Sequence, residues 1–340
     1  MVVNVTKPQV YVSRRIHETA IQLLKDCCDV EIYDSEHPVP RGILVESIKD
    51  KDAALILLSD RIDKEVLEKA GKLRVISTMS AGYDHIDLRE ATSRGIYVTN
   101  VPGVLTEAVA EFALALLFSA ARRIVEADRF LRKGFWKVAW SPMFMLGQQI
   151  SGKTLGIIGL GAIGAALAKR ARGLNMRVVY YSRTRKLSVE KELGVSYMSF
   201  KDVLKESDFL ILSTALTPET VKMIGEKELR SMKPSSYLIN ISRGAVVDEK
   251  ALVKALKEGL IAGAALDVFE KEPVDPGNLL ISMDNVVLTP HIASATFEAR
   301  RRLSEKAAEN ILHILRGEAS SSLLNPEVMK VRPLEEVKML

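Results

Sequence analysis

The run TLGIIGLGAIGAALAKRA, Thr154 to Ala171, sets Gly159, Gly161 and Gly164 as G-x-G-x-x-G between an apolar strand-like segment and an alanine-rich helical one. That context leaves few folds open. A strand must end, the chain must turn back within a few residues, and a helix must start packed on the strand it has just left. Gly159 permits the tight turn, Gly161 lets backbone come close to a pyrophosphate, and Gly164 lets helix and strand approach. The first turn of such a helix offers unpaired N–H groups and the positive end of its dipole. The turn therefore predicts a parallel α/β sheet with a dinucleotide site beginning at residue 159.

The rest of the chain agrees. From Lys153 onward the strand-like runs are TLGIIG, RVVYYS, DFLILST, SYLINIS, AGAALDV and NVVLTP, with helical patterns between the earlier ones. Six strands in this order fit a complete doubly wound sheet. The first hundred residues repeat the alternation with QVYVS, VEIYD, DAALILLS, LRVISTMS and GIYVTN. Strands separated by helices mean βαβ units and parallel pairing. A length of 340 residues suits two domains. The expected class is α/β, with a Rossmann domain and a second, flavodoxin-like, doubly wound domain.

Pro102 and Gly103 break the first series, and TEAVAEFALALLFSAARRI follows as a helix apolar around most of its circumference, with Thr106 as a candidate N-cap. GFWKVAWSPMFMLGQQISG reads as an aromatic loop. The last amphipathic segment, TFEARRRLSEKAAENILHILRG, can return to the first domain. The expected division is 1–101 with 290–320, then 102–289, with 321–340 as a C-terminal extension without a clear period. FALALLFSAA is too short to span a bilayer, and no signal peptide is expected ahead of Gln9. A soluble, cytoplasmic protein is the expectation. Cys27 and Cys28 are neighbours that rarely bridge, and no Cys/His spacing suggests a metal. The charge of +5 is spread along the chain, so nucleic acid is not an expected partner, whereas an anionic substrate or cofactor is.

The stretch after the second strand of the glycine-turn series selects the cofactor. An NAD site places an acid there for the ribose 2′-hydroxyl, and that acid would repel a 2′-phosphate. Between Gly164 and Glu190 the chain has no Asp or Glu, and Ser182, Arg183, Thr184, Arg185 and Lys186 occupy the place. Hydroxyl and guanidinium groups suit a phosphate dianion, so NADP(H) is expected.

Three chemical side chains follow successive strands of the same sheet: Arg243 in INISRGAVVDEK, Glu272 in GAALDVFEKEP and His291 in NVVLTPHIASAT. Ligands of open α/β sheets bind beyond the carboxyl ends of the strands. For a 2-oxo acid this set is sufficient. Arg243 can clamp the carboxylate and polarise the carbonyl, and His291 can exchange a proton with the oxygen. A carboxylate at Glu272 beside His291 would favour the imidazolium.

With SAGYDHIDL, VLTEAVAEFALALL, GKTLGIIGLGAIG, INISRGAVVDEKAL, GAALDVFEKEP and TPHIASAT in order, the chain resembles the NAD(P)-dependent D-2-hydroxyacid dehydrogenases over about residues 8–328. YYSRTRK and AWSP are most similar to the glyoxylate and hydroxypyruvate reductases of that family. The resemblance implies Arg243, Glu272 and His291 as the catalytic trio. It implies a substrate domain built from both chain ends, with Ser80, Ala81 and Gly82 joining Arg243 and His291 at the substrate. Cofactor contacts are expected from Thr106, from Gly159, Leu160, Gly161, Ala162, Ile163 and Gly164, from Ser182, Arg183 and Thr184, from Ile241, Ser242 and Arg243, and from Asp267, His291, Ile292 and Ala293. A homodimer through the Thr106 helix and the aromatic loop is also implied. Three positions depart from the family pattern: Ala81 in the substrate loop, Ala215 in place of a loop proline, and Ala293 near the expected nicotinamide.

The expected activity is NADPH-dependent reduction of glyoxylate to glycolate, of hydroxypyruvate to D-glycerate, or of both. Dehydrogenases of 3-phosphoglycerate, D-lactate or phosphite are the alternatives within the family, and a nucleotide-sensing transcriptional corepressor is the alternative from another class. The long regulatory extension of many phosphoglycerate enzymes is not seen after the last helix, and basic tails that would suit a corepressor do not stand out.

Overall fold

The computed structural model describes residues 7–340. The expectation about a leader ahead of Gln9 falls on residues outside that range. The chain divides into two units: the described residues up to Leu105 together with Thr296–Leu340, and Thr106–Ala295. These boundaries lie a few residues beyond the expected breaks at 101 and 290.

In the first unit, strands β1 (Gln9–Val12), β2 (Asp29–Ile32), β3 (Ala53–Ile56), β4 (Val75–Thr78) and β5 (Tyr97–Thr99) lie in the order β2-β1-β3-β4-β5. All are parallel. β3, β4 and β5 are buried at every position, as strands covered on both faces must be. Alternate side chains feed two cores. Val10, Val12 and Leu55 pack with Leu24, Ile311 and Leu315 from the helices Glu18–Lys25 and Phe297–Leu315. Tyr11, Ala54 and Ile56 pack with Leu44, Ile48, Val66 and Leu67 on the other face.

Residues 321–340, expected as a C-terminal extension, are anchored on the first unit. Leu323 bridges Thr99 in antiparallel sense, and the Leu324 N–H donates to the Val98 carbonyl at 2.8 Å. Fully buried Asn325 accepts from the Val98 N–H at 2.9 Å and donates to the Ile96 carbonyl and Thr92 Oγ1, each at 2.9 Å. Val328 and Val337 are fully buried in the β1 core. β5 is an edge strand, and the tail supplies the hydrogen-bond partners that an edge otherwise leaves open. The anchors are spaced too irregularly to read as a period. Asn325→Ala would strand these buried groups and lower unfolding free energy by about 1–3 kcal/mol. Urea melts read this directly, and an unchanged midpoint would show that the side chain does not secure the edge.

In the second unit the strands are β6 (Thr154–Ile158), β7 (Arg177–Tyr181), β8 (Ser196–Tyr197), β9 (Phe209–Leu212), β10 (Tyr237–Asn240), β11 (Gly263–Leu266) and β12 (Val286–Leu288). Their order is β12-β11-β10-β9-β6-β7-β8, all parallel. The strand that sequence reading missed is β8, whose two residues are too few to show alternation. β6 has β7 on one side and β9 on the other, so the order reverses at β6 and opens a crevice at its carboxyl end. The helix Thr106–Ala121 packs on the helix Ala162–Gly173 and against β10, β11 and β12, which explains its broad apolar surface. It opens at Thr106 itself, so that residue lies in the first turn rather than ahead of it as a cap. Among the described residues, no helix is long and apolar enough to cross a membrane.

Candidate active site

The glycine turn lies at the reversal point. Gly159 has φ +99°, and a Cβ there would collide with the Ser213 carbonyl at the end of β9. A Cβ on Gly164 would collide with the Gly159 carbonyl. Both positions thus answer to packing within the chain. Gly161 is different: a Cβ there would meet nothing within 4 Å. Its missing side chain leaves open space directly over the start of the helix Ala162–Gly173, which has no side-chain cap and no acid in its first turn. This cradle fits a pyrophosphate. Ala162 is exposed and Ile163 half-buried beside it, while Leu160 turns its side chain into the protein.

The basic loop after β7 is less uniform than its sequence. Arg185 forks onto Glu190, with Nε and Nη2 both at 2.8 Å, and its guanidinium carbon lies 5.7 Å from the Tyr197 ring centre. The Tyr180 hydroxyl also donates to Glu190 at 2.7 Å. Hydrogen bonds from Arg185 first, then Tyr180, hold the Glu190 carboxyl down at about 2. The acid missing from the strand end therefore returns from the helix Leu187–Leu193 and is neutralised by Arg185. Ser182 Oγ donates to the Thr184 carbonyl at 3.1 Å. Arg183 is exposed and forms no hydrogen bond or ion pair among the described residues, so its fork is available to a ligand.

Beyond β10, buried Asn240 builds the next turn. Its Oδ1 accepts from the Ser242 N–H at 3.0 Å and Ser242 Oγ at 2.8 Å, and its Nδ2 donates to the Arg243 carbonyl at 2.9 Å. Ile241 and Ser242 are buried, whereas Arg243 is half-exposed with Nη1 3.0 Å from the Ser242 carbonyl. A Cβ on Gly244 would overlap the backbone of Phe269 and Glu270, so the Arg243 turn lies against the chain that leads to Glu272. Sequence reading passed over Asn240 and Gly244.

Glu272 Oε2 and His291 Nδ1 are 2.7 Å apart, and their side chains stay 36% and 31% exposed. The Phe269 N–H donates to the other oxygen of Glu272 at 3.0 Å. Burial pushes the Glu272 carboxyl up, but the hydrogen bond and charge of His291, the Phe269 N–H and the charge of Arg243 outweigh it, and the net direction is down. His291 Nε2 makes no hydrogen bond among the described residues, so the pair presents one ring nitrogen to a ligand.

His291 has φ +53°, a left-handed conformation that costs a non-glycine residue roughly 1–3 kcal/mol unless its surroundings impose it. Asp267 imposes it. The Asp267 carbonyl accepts from the His291 N–H at 2.8 Å. Its carboxylate accepts from Thr289 Oγ1 at 2.6 Å, the Ile292 N–H at 2.9 Å and the Ala293 N–H at 2.8 Å. Asp267 is among the cofactor contacts expected from the sequence, and the structure shows an internal role for its side chain. That side chain is fully buried, both oxygens are engaged, and its work is to hold the 289–293 loop. Ala293 is likewise buried, while Ile292 is exposed.

In the first unit, Ser80, Ala81 and Gly82 follow the carboxyl end of β4. Their three carbonyls are all engaged: Ser80 by the Val101 N–H at 2.8 Å, Ala81 by Asn100 Nδ2 at 2.7 Å, and Gly82 by Ser80 Oγ at 2.6 Å. Among the described residues the N–H groups of Ala81 and Gly82 have no acceptor. Engaged carbonyls and open N–H groups make a backbone suited to an anion.

Comparison with known proteins agrees with this chemistry. Residues 114–293 match the family model described as D-isomer specific 2-hydroxyacid dehydrogenase, NAD binding domain. The chain is 54% identical to the glyoxylate reductase of Korarchaeum cryptofilum over 96% of this chain and 98% of that one. The glyoxylate reductase of Pyrococcus furiosus gives the same figures of 54%, 96% and 98%. Among solved structures, the NADPH-dependent glyoxylate/hydroxypyruvate reductase of Sinorhizobium meliloti, in complex with NADP and malonate, is similar with a TM-score of 0.81 and 31% identity, over 95% of this chain and 98% of that one. The match over residues 114–293 makes a nicotinamide dinucleotide the cofactor class, and the chain belongs to the D-2-hydroxyacid dehydrogenase family of oxidoreductases.

Proposed function

We propose that this protein reduces glyoxylate to glycolate, and hydroxypyruvate to D-glycerate, with NADPH. The observation that carries the reading is the Glu272–His291 pair, held on a strained loop with Nε2 left open. The similarity to glyoxylate reductases supports glyoxylate as substrate. The cofactor would be held by the 159–164 turn, with its 2′-phosphate at Ser182, Arg183 and Thr184. When bound, it supplies a hydride to C2 of the 2-oxo acid. Arg243 holds the substrate carboxylate and draws charge toward the carbonyl oxygen. His291 Nε2 delivers a proton to that oxygen, and Glu272 balances the charge of the imidazolium before transfer. In the first unit, the open N–H groups of Ala81 and Gly82 would suit a substrate carboxylate.

We also read the protein as a cytoplasmic homodimer. Support for the dimer comes from the aromatic loop, where Val138, Trp140 and Met143 are 72%, 84% and 77% exposed. Such a run of open apolar surface suits a subunit contact.

The cofactor assignment is tested at Arg183. Arg183→Ala removes the one unengaged guanidinium of the loop, and a charge-assisted bond is worth roughly 1.5–3 kcal/mol, so NADPH affinity should fall about ten- to a hundredfold. NADH affinity should hardly change. Equal losses for the two cofactors would show that the loop does not read the 2′-phosphate.

A further inference from the structure

We infer that Asn310 is a positioning residue for the substrate loop, through a buried chain of hydrogen bonds that starts in the C-terminal tail. The inference deepens the reading of residues 80–82 given above and rests on it.

Asn310 lies in the helix Phe297–Leu315 and is fully buried. A buried primary amide is costly unless its donors and acceptor are engaged. Here Oδ1 accepts from Ser320 Oγ at 2.9 Å and Ser322 Oγ at 3.5 Å, and Nδ2 donates to the Asn100 carbonyl at 2.9 Å. Ser320 and Ser322 are themselves buried, and Ser320 Oγ also accepts from the Ser322 N–H at 3.1 Å. Asn100 continues the chain: its Nδ2 donates to the Ala81 carbonyl at 2.7 Å. The next residue, Val101, donates to the Ser80 carbonyl at 2.8 Å.

The sequence of contacts is thus Ser320 and Ser322, then Asn310, then the Asn100 backbone, then the Asn100 side chain, then Ala81. Every member is buried or half-buried, and all belong to the first unit. An apolar residue at 310 would fill the same helical position, because its neighbours Leu303, Ala307, Ile311 and Ile314 are apolar core. A merely space-filling role therefore does not call for an amide. What the amide supplies is direction. It fixes the Asn100 peptide, and that peptide sets where the Asn100 side chain meets the loop. Holding the carbonyls of Ser80 and Ala81 from behind orients the adjoining peptide planes, and with them the N–H groups of Ala81 and Gly82. Residues 320–322, which follow the last long helix, thereby bear on substrate affinity without touching substrate.

The test uses the full chain with two variants. Asn310→Asp keeps size and the acceptor toward the serines but removes the donor to Asn100. Ser320→Ala with Ser322→Ala removes the tail contact alone and serves if the first variant does not fold. In either folded variant, KM for glyoxylate should rise about three- to tenfold, the scale of one lost buried hydrogen bond. Turnover at saturation and NADPH affinity should stay near wild type, because Arg243, His291 and the glycine turn lie in the other unit. Amide hydrogen exchange in the peptide covering residues 78–84 should quicken. A lowered melting temperature with unchanged KM and unchanged loop exchange would overturn the inference, since Asn310 would then be structural only. Quicker loop exchange with unchanged KM would overturn the substrate role of residues 81 and 82 instead. Parallel losses of NADPH and glyoxylate affinity would mean general loosening and would also overturn it.

Discussion

Replacing His291 by alanine should lower the rate of 2-oxo acid reduction by about 10²- to 10⁴-fold, the usual contribution of a positioned general acid. The open Nε2 is the atom lost, and with it the donor of the proton to the carbonyl oxygen. Glu272→Gln is the companion variant. It keeps shape and one acceptor but removes the charge. The direction of the Glu272 shift fixes the sign of the effect. Its carboxyl lies below the ordinary carboxylate range, because His291, the Phe269 N–H and Arg243 together outweigh burial. The contribution of the carboxylate is therefore present above the ordinary carboxylate range and is lost only as pH falls through the lowered value. At neutral pH Glu272 is therefore charged, and its Oε2 lies 2.7 Å from His291 Nδ1. In the Gln variant the charge that balances the protonated ring is gone, and losing one charge-assisted bond, worth roughly 1.5–3 kcal/mol, should lower kcat/KM for reduction by about ten- to a hundredfold. A kcat/KM that coincides with wild type would reduce Glu272 to an ordinary loop acid.

Arg243→Lys carries the second large effect. Lysine keeps the charge but loses the planar fork that meets a carboxylate with two parallel bonds. Losing one charge-assisted bond costs roughly 1.5–3 kcal/mol, or about 10- to 150-fold in kcat/KM with glyoxylate. NADPH affinity should change little, because the Gly161 cradle and Arg183 are untouched. Steady-state kinetics and cofactor titration separate the two, and near wild-type turnover would remove Arg243 from its assigned place.

The parts of this fold that follow one rule at a time were legible in the sequence. Gly159, Gly161 and Gly164 combine a strand end, a turn and a helix start within a few residues. The trio Arg243, Glu272 and His291 follows consecutive strands, and parallel strands bring their carboxyl ends to one edge. What stayed hidden depends on partners distant in sequence. The resemblance places Asp267 among the cofactor contacts, but its partners within the chain were not legible. Only the fold shows the Thr289, Ile292 and Ala293 donors closing over it. Arg185 read as part of a phosphate site until the next helix returned Glu190 to it. The tail gave no signal because its anchors, Leu323, Asn325, Val328 and Val337, have neither strand nor helix spacing, yet each meets the edge or core of the first unit.

The most direct measurement is NADPH consumption, followed by absorbance, with the wild-type chain and a panel of glyoxylate, hydroxypyruvate, pyruvate and 3-phosphohydroxypyruvate, repeated with NADH. The predicted result is turnover of glyoxylate and hydroxypyruvate ahead of the other two acids, with higher kcat/KM for NADPH than for NADH. Turnover confined to pyruvate or 3-phosphohydroxypyruvate, or a clear preference for NADH, would contradict it.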